Sequence, residues 1–267
     1  MDYQWVKYEK EDGIAILTLN RPDKLNAWIP SMRVEARKCI EDANTDTGIR
    51  VLIVTGSGRG FCAGADLATF GPGEIADDEG VRGALGMSGQ TLRVIEALNA
   101  MIKPTIAAIN GTMAGSGLCF ALAHDVLIAS DQARFRVAFT RMGLPLPDAA
   151  AWSMGRLIGL HRTLELAYTN DTIDAKEMER IGLVNRVVPH DQLMKVAKET
   201  ANKMKQIPPL TLALTKKAVY HALGAATMEE QIAWEHSSVF PALRTSEDFQ
   251  EAAKSLMEKR NPVYLWK

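Results

Sequence analysis

The chain predicts an α/β fold: a layered, sheet-based core over residues 1–190, then a helical region over 191–267. Three observations carry that prediction. Two β-branched apolar runs, Val51-Leu52-Ile53-Val54 and Thr105-Ile106-Ala107-Ala108-Ile109, each lead into a small-residue segment and then a helix start. A third run, Val126-Leu127-Ile128-Ala129, follows helical spacing over Gly117 to His124, so strand, helix and strand alternate as in a βαβ unit with a largely parallel sheet. Beyond Pro208-Pro209, helical spacing continues almost unbroken to about Lys259.

The elements follow in order. Val6 to Asn20 reads as a hairpin turning at Glu11-Asp12-Gly13, with Ile14-Ala15-Ile16-Leu17-Thr18-Leu19 as its second strand. Ser31 to Ala43 has helical spacing with Pro30 ahead of it, and Val51 to Thr55 is a short buried strand. Thr69 to Gly86 is rich in Gly, Asp and Glu without a clear period and reads as a mobile surface loop. Gln90 to Met101 is an amphipathic helix that Pro104 prevents from continuing. Asp174-Ala175-Lys176-Glu177 and Thr227-Met228-Glu229-Glu230 have capping-box spacing, in which the first side chain accepts from the N3 amide and the glutamate reaches back.

Composition narrows the function classes. A formal net charge of −1 argues against a nucleic-acid binder held by a broad basic face. The 3 cysteines, Cys39, Cys62 and Cys119, form neither a CxxC pair nor an even framework, which suits a reducing compartment. The opening Met1-Asp2-Tyr3-Gln4-Trp5 lacks a basic start and an apolar stretch, and no apolar run reaches the roughly 18 residues of a membrane span. A cytoplasmic protein with no membrane and no nucleic-acid partner is expected. The 5 histidines are scattered and no dinucleotide or phosphate-loop fingerprint occurs, so neither a metal nor a redox cofactor is expected.

The two small-residue segments are Gly60-Phe61-Cys62-Ala63-Gly64-Ala65-Asp66-Leu67 and Asn110-Gly111-Thr112-Met113-Ala114-Gly115-Ser116-Gly117-Leu118. Strand-to-helix turns with so little side-chain bulk can aim two backbone N–H groups at one point, which is how an oxyanion hole is built from main chain. Either turn alone would read as a tight turn without a ligand. Together with Arg21-Pro22-Asp23-Lys24-Leu25-Asn26-Ala27, Lys103-Pro104, Gly143-Leu144 and Gly182-Leu183-Val184-Asn185-Arg186-Val187-Val188, they resemble the enoyl-CoA hydratase/isomerase (crotonase) superfamily from about Val6 to the C-terminus. The resemblance implies a crotonase-like layered ββα core and a helical C-terminal region that covers the site and assembles a homotrimer or a dimer of trimers. It implies an acyl-CoA thioester as substrate, with coenzyme A entering only as part of that substrate.

By match to the family pattern, the oxyanion donors are the N–H groups of Ala65 and Ser116. Relatives usually carry glycine at the second position, and serine would be strained there if φ were positive. Hydratases of the family place one glutamate on the helix after the glycine turn and another about twenty residues later; here those positions hold Cys119 and Phe139. The two-glutamate route to hydration is therefore absent. Isomerases and a dehalogenase branch carry their acid in the loop occupied here by Gly143 to Ala149. Without a gap that acid aligns with Pro147, one residue before Asp148. Asp148 is then either the proton-handling group, its pKa raised by burial against Phe139, Met142 and Leu146, or the cap of the next helix.

The same carry-over assigns coenzyme A recognition to Lys24, Leu25 and Ala27, with Ala63, Asp66 and Leu67 shaping the groove. Phe139 is placed with the substrate, and Trp28 lines the pocket or its rim. Phosphates need cations, for which Arg21, Lys24, Lys259 and Arg260 are candidates, each equally readable as a solvated surface charge. Cys119 reads as a small core residue rather than a nucleophile. His124 lies too far along its helix to activate Ser116. Arg141 pairs with a substrate carboxylate or with Asp148, or is simply solvated. The activity expected is stabilisation of a thioester enolate, as an enoyl-CoA hydratase or isomerase working without the glutamate pair. An acyl-CoA hydrolase, a carbon–carbon lyase, or a non-catalytic homologue binding CoA, RNA or a protein are the alternatives.

Overall fold

A computed structural model of the chain describes residues 3–69 and 89–264, with residues 69 and 89–92 by backbone alone. The surface loop expected over Thr69 to Gly86 lies, past Thr69, outside the described residues.

Strands β1 (Val6–Glu11) and β2 (Ile14–Leu19) form the expected hairpin. Asp12 and Gly13 both take positive φ, 47° and 73°, the two-residue turn whose twist matches a hairpin. Then follow β3 (Val51–Gly56), β4 (Gly60–Cys62), β5 (Thr105–Ile109), β6 (Thr112–Ala114), β7 (Val126–Ser130), β8 (Arg134–Arg136), β9 (Ile173–Asp174) and β10 (Arg186–Val188). One sheet runs β1-β2-β3-β5-β7-β10, parallel from β2 onward. A smaller sheet runs β4-β6-β8-β9, and its first three strands are parallel.

Side chains alternate across the large sheet with the period of two that a strand imposes. Ile14, Ile16, Val51, Ile53, Ile106, Ala108 and Ile128 face helix α7 (Leu193–Lys205), which contributes Leu193, Ala197 and Ala201. Helix α7 thus begins after residue 190 yet belongs to the sheet by packing. The alternate residues, among them Leu17, Leu19, Leu52, Val54, Ala107 and Ile109, enter the main core. The first six helices are α1 (Pro30–Thr45), α2 (Gly89–Asn99), α3 (Ser116–Leu122), α4 (Ala150–Leu157), α5 (Leu160–Thr169) and α6 (Ala175–Arg180). The helical tail after Pro208 comprises α8 (Pro209–Ala222), α9 (Met228–Trp234), α10 (Phe240–Arg244) and α11 (Glu247–Glu258), with a π-helical stretch Glu235–Val239 between α9 and α10.

Two polar anchors explain parts of the motif pattern. Lys103 is 2% exposed, and its ammonium donates to the carbonyls of Ala43 and Asp46 at the C-terminus of α1. The Asp125 carboxylate accepts from the amide and hydroxyl of Thr105 and from Lys216 of α8, tying the tail to the sheet.

The capping boxes form only in half. Asp174 and Thr227 accept from the amides of Glu177 and Glu230 as expected. Glu177, however, turns to a bidentate pair with Arg180. Glu230 accepts from the Ala226 amide, one residue before the cap. Asp174 already sits in register with Arg134 in a ladder, which competes for its backbone.

Candidate active site

The first turn is built on a knot of hydrogen bonds in the 21–27 loop. Asn26 is fully buried in the left-handed conformation, φ 57°. Its amide nitrogen donates to the carbonyls of Ser57 and Gly60, and its amide oxygen accepts from the Arg21 N–H. Gly60 passes so close to this loop that a Cβ there would lie 2.9 Å from the Leu25 carbonyl. The Ala63 amide donates to that same carbonyl. Lys24, Leu25, Ala27 and Ala63 are thereby held together, and Asp66 and Leu67 follow directly. Trp28 completes the frame: its amide donates to the Gly64 carbonyl at 2.7 Å, and its carbonyl accepts from the Asp66 amide at 2.9 Å. These two bonds flank Ala65 and leave its own N–H without an acceptor among the described residues.

The second turn closes against the first. Gly115 has φ 52° and ψ −129°, a conformation open to glycine and costly for any side chain. Gly64 has φ 100°, and a Cβ on it would meet the Ala114 carbonyl at 3.0 Å and the Ser116 nitrogen at 3.4 Å. The two turns are therefore in direct contact. The Ser116 amide, first of α3, likewise has no acceptor among the described residues. Positive φ falls on Gly115 rather than Ser116, so serine carries no backbone strain here. Its hydroxyl is buried without a hydrogen-bond partner among the described residues. Gly117 explains why α3 starts here: a Cβ would lie 2.1 Å from the Cys62 carbonyl, so only glycine lets the helix rest on β4.

The remaining groups come from α3 and the 139–149 loop. Phe139 is 8% exposed, and its ring approaches the Gly115 turn. The Cys119 thiol lies 3.7 Å from the Gly115 carbonyl and 3.6 Å from that of Pro147, which sets the Asp148 loop against the same helix. Burial pushes the Cys119 thiol well above its ordinary pKa, so it is a neutral core group, neither base nor nucleophile. Asp148 and Ala149 take consecutive left-handed conformations, φ 51° and 62°. The cap of α4 is Ala149, and no side chain caps it, so the helix-cap reading of Asp148 is not what forms. Burial raises the Asp148 pKa, offset in part by the Arg33 charge. Met142 is largely exposed and does not serve as the burying wall expected of it.

Several expected cations are engaged elsewhere. Arg21 pairs with Asp66 at 2.7 Å and donates to the Ala27 carbonyl, which makes it a brace of the groove. Arg260 is held by Glu251 and Glu258. Lys24 is exposed beside the first turn. Lys259, the left-handed residue ending α11, is not brought to the turns within one chain. Helix α11 packs on α8, and Asp248 and Tyr264 face Arg50 at the start of β3, whereas the turns follow the ends of β3 and β5. Arg141 is exposed and lines a separate surface hollow with Arg136, Tyr168 and Asn170.

Sequence reasoning missed Arg33 and left Trp28 between the pocket wall and its rim. Trp28 is 2% exposed and meets Phe120 edge-on at 5.1 Å, so it is a wall and not a rim. Arg33 is 7% exposed and shares that wall. The signal was present: Arg33 falls in the stripe of Ala36 and Ile40 on α1, the buried face of that helix. His124, fully buried, bonds through Nδ1 to the carbonyls of Phe120 and Ala121, which requires the proton on that nitrogen. It therefore supports α3 and does not reach Ser116.

Two strand-to-helix turns thus meet, each with a backbone N–H that has no acceptor among the described residues. The sequence model of the enoyl-CoA hydratase/isomerase family matches residues 9–266. A 1,2-epoxyphenylacetyl-CoA isomerase of Escherichia coli (strain K12) is 34% identical over 260 residues, covering 96% of this chain and 97% of that one. A probable enoyl-CoA hydratase of Rhodobacter capsulatus is 35% identical over 265 residues, covering 99% of both. The crystal structure of an enoyl-CoA hydratase subunit from Geobacillus kaustophilus superposes with a TM-score of 0.88 at 33% identity over the full length of both chains. This chain belongs to the enoyl-CoA hydratase/isomerase family and is an enzyme of that family.

Proposed function

We propose that this enzyme shifts the double bond of an enoyl-CoA, with the thioester oxygen held by the N–H groups of Ala65 and Ser116 and the proton moved by Asp148. The observation that supports the reading is the half-buried Asp148 carboxyl, on a loop whose Pro147 carbonyl meets Cys119 of α3, and the family resemblance places Cys119 and Phe139 where hydratases carry glutamates. Hydration needs one group to activate water and another to protonate the α-carbon. Isomerisation needs only one. The Asp148 carboxylate takes a proton from the carbon next to the thioester, the charge passes to the oxygen facing the two amides, and the same proton returns to the far carbon. The double bond moves into conjugation with no net change in atoms. The similar E. coli protein is named for an isomerisation, which is consistent with this choice.

Lys24, Leu25, Ala27, Ala63, Asp66 and Leu67 form the coenzyme A groove in this reading, with Phe139 against the acyl group. Lys259 would reach a CoA phosphate only from a neighbouring copy. Such a copy is supported by the apolar side chains the helical tail leaves exposed, among them Ile232, Phe240, Phe249 and Leu256. We therefore propose a homotrimer, acting in the cytoplasm.

The test is to supply 3-enoyl-CoA and follow the conjugated-thioester absorbance. Isomerisation makes it rise with no change in mass and, because the same proton returns, leaves the product without label in deuterium oxide. A loss of absorbance from 2-enoyl-CoA, with a gain of one water in mass, would assign hydration instead. Full turnover by Asp148→Asn would remove Asp148 from the mechanism.

A further inference from the structure

The strands that carry the two turns are held at their entrance by a pair of side-chain amides. Strands β4 and β6 have 3 residues each, and their register shifts between Gly60 and Cys62. A ladder so short, with glycine at its start, specifies its register weakly. Yet one residue of slip moves a strand by about 3.3 Å, and an oxyanion donor works only within about 2.7–3.1 Å of its oxygen. Asn26 approaches the entrance from the 21–27 loop, and Asn110 follows β5 directly. The side-chain nitrogen of Asn26 donates to the Gly60 carbonyl at 2.7 Å, and that of Asn110 donates to the same carbonyl at 3.1 Å.

The rest of each amide is committed to the same short stretch of chain. Asn26 also donates to the Ser57 carbonyl, and its oxygen accepts from the Arg21 N–H. Asn110 also donates to the Gly58 carbonyl at 2.9 Å, and its oxygen accepts from the Gly56 N–H at 3.0 Å. Both side chains are buried. In each, the nitrogen faces two carbonyls and the oxygen faces an N–H, so neither amide fits turned over. A Cβ on Gly56 would lie 2.2 Å from the Gly60 oxygen, so the packing around that oxygen has no slack. Gly60 opens the segment that ends at Ala65, and Asn110 opens the one that ends at Ser116. One carbonyl oxygen is therefore the common reference point of both turns.

We infer that Asn26 and Asn110 are positioning residues for the reaction: by gripping the Gly60 carbonyl together they set the register of β4 on β6, and with it the spacing of the Ala65 and Ser116 N–H groups. The inference rests on the thioester being held at those two amides as proposed above. A donor displaced by about 1 Å costs about 10²-fold in rate. The loss falls on kcat, because the amides hold the oxygen hardest when it carries the developing charge.

The experiment compares the parent enzyme with Asn26→Asp and Asn110→Asp, which keep the shape and replace the donor by an acceptor. Asn185→Ala is the control: its side chain accepts from the Leu127 amide where β10 joins β7, away from the turns. Difference infrared spectra are recorded with butyryl-CoA labelled at the carbonyl carbon, a saturated thioester that binds without turning over. In the parent the thioester C=O band moves to lower frequency on binding. In both aspartate variants it moves back toward the free value, and kcat for 3-enoyl-CoA falls about 10²-fold with KM within about threefold. In Asn185→Ala the band stays at the parent position, whatever happens to Tm. A band unmoved in the folded aspartate variants, or a loss carried by KM alone, would overturn the inference and leave the oxyanion reading standing. No band shift in the parent would bring down that reading and this inference with it. Should the aspartate variants fail to fold, hydrogen exchange on the parent decides. The Arg21 and Gly56 amides, held by the two side-chain oxygens, should exchange as slowly as those of β3, and exchange at the rate of exposed loops would overturn the inference.

Discussion

The two halves of the site are made of different material. In the proposed function the oxyanion half is main chain: Gly64, Ala65, Gly115 and Ser116, braced by Asn26, Trp28 and the contact of Gly117 with β4. The acid half is one side chain, Asp148, on a loop with two successive left-handed residues and no hydrogen bond to its carboxylate among the described residues. The difference teaches which half of the site a single side-chain substitution can remove. The backbone cradle depends on Gly64 and Gly115, whose positive φ would strain any side chain. A lone carboxyl on a loop can be moved or lost by a single substitution.

The largest expected effect breaks the acid half and leaves the cradle intact. Asp148→Asn lowers kcat for double-bond isomerisation by about 10²–10⁴-fold with little change in KM. Stability moves the other way. A carboxyl whose folded pKa is raised binds more protons folded than unfolded, so its ionisation costs stability as pH rises through that pKa. Thermal denaturation at neutral pH should give a Tm for Asp148→Asn at or above that of the parent; a clear fall would contradict burial as the cause. The parent kcat/KM should also rise with pH through a midpoint above the ordinary aspartate value of about 3.9, because the carboxylate form starts the reaction.

Breaking the cradle comes next. Gly115→Ala forces a side chain into φ 52°, ψ −129° and moves the Ser116 amide. Steady-state kinetics should show kcat reduced by about 10²–10³-fold, the scale of one lost oxyanion donor. The midpoint of the pH profile should stay put, since Asp148 is untouched.

A smaller effect separates the halves by pH. Burial lowers the His124 pKa to about 4 from an ordinary value near 6.5. The unfolded chain then binds the extra proton first, so stability is full above about pH 6.5 and is lost as pH falls toward 4. Urea unfolding across that window should show a shallower loss in a folded His124→Gln variant. The smallest effect is Ser116→Ala, which removes a buried hydroxyl that has no hydrogen-bond partner among the described residues while keeping the amide. Turnover should stay within about threefold and stability should hold or rise. A large loss would give the hydroxyl a role beyond the backbone.

The contrast also sets what could be seen in the sequence. The hairpin, the parallel strands and the helix after Gly117 were legible because period-two alternation and glycine placement are local. The two turns that hold Ala65 and Ser116 were legible as turns because their small residues leave a motif. Asp148 was singled out, but the upward direction of its pKa and the empty cap depend on what folds around it. Arg33 was missed because an arginine on a helix reads as solvated unless the stripe it shares with Ala36 and Ile40 is weighed. The pairing of Arg21 with Asp66 and of Arg260 with Glu251 was hidden because charge partners are set by tertiary approach, so two expected phosphate cations proved to be braces.

A crystal structure with a non-reactive acyl-CoA bound tests the central claim most directly. The account predicts the thioester oxygen about 2.7–3.1 Å from the nitrogens of both Ala65 and Ser116, with Asp148 the nearest carboxylate to the α-carbon. A thioester oxygen bound anywhere else, with those two amides facing solvent or protein, would contradict it.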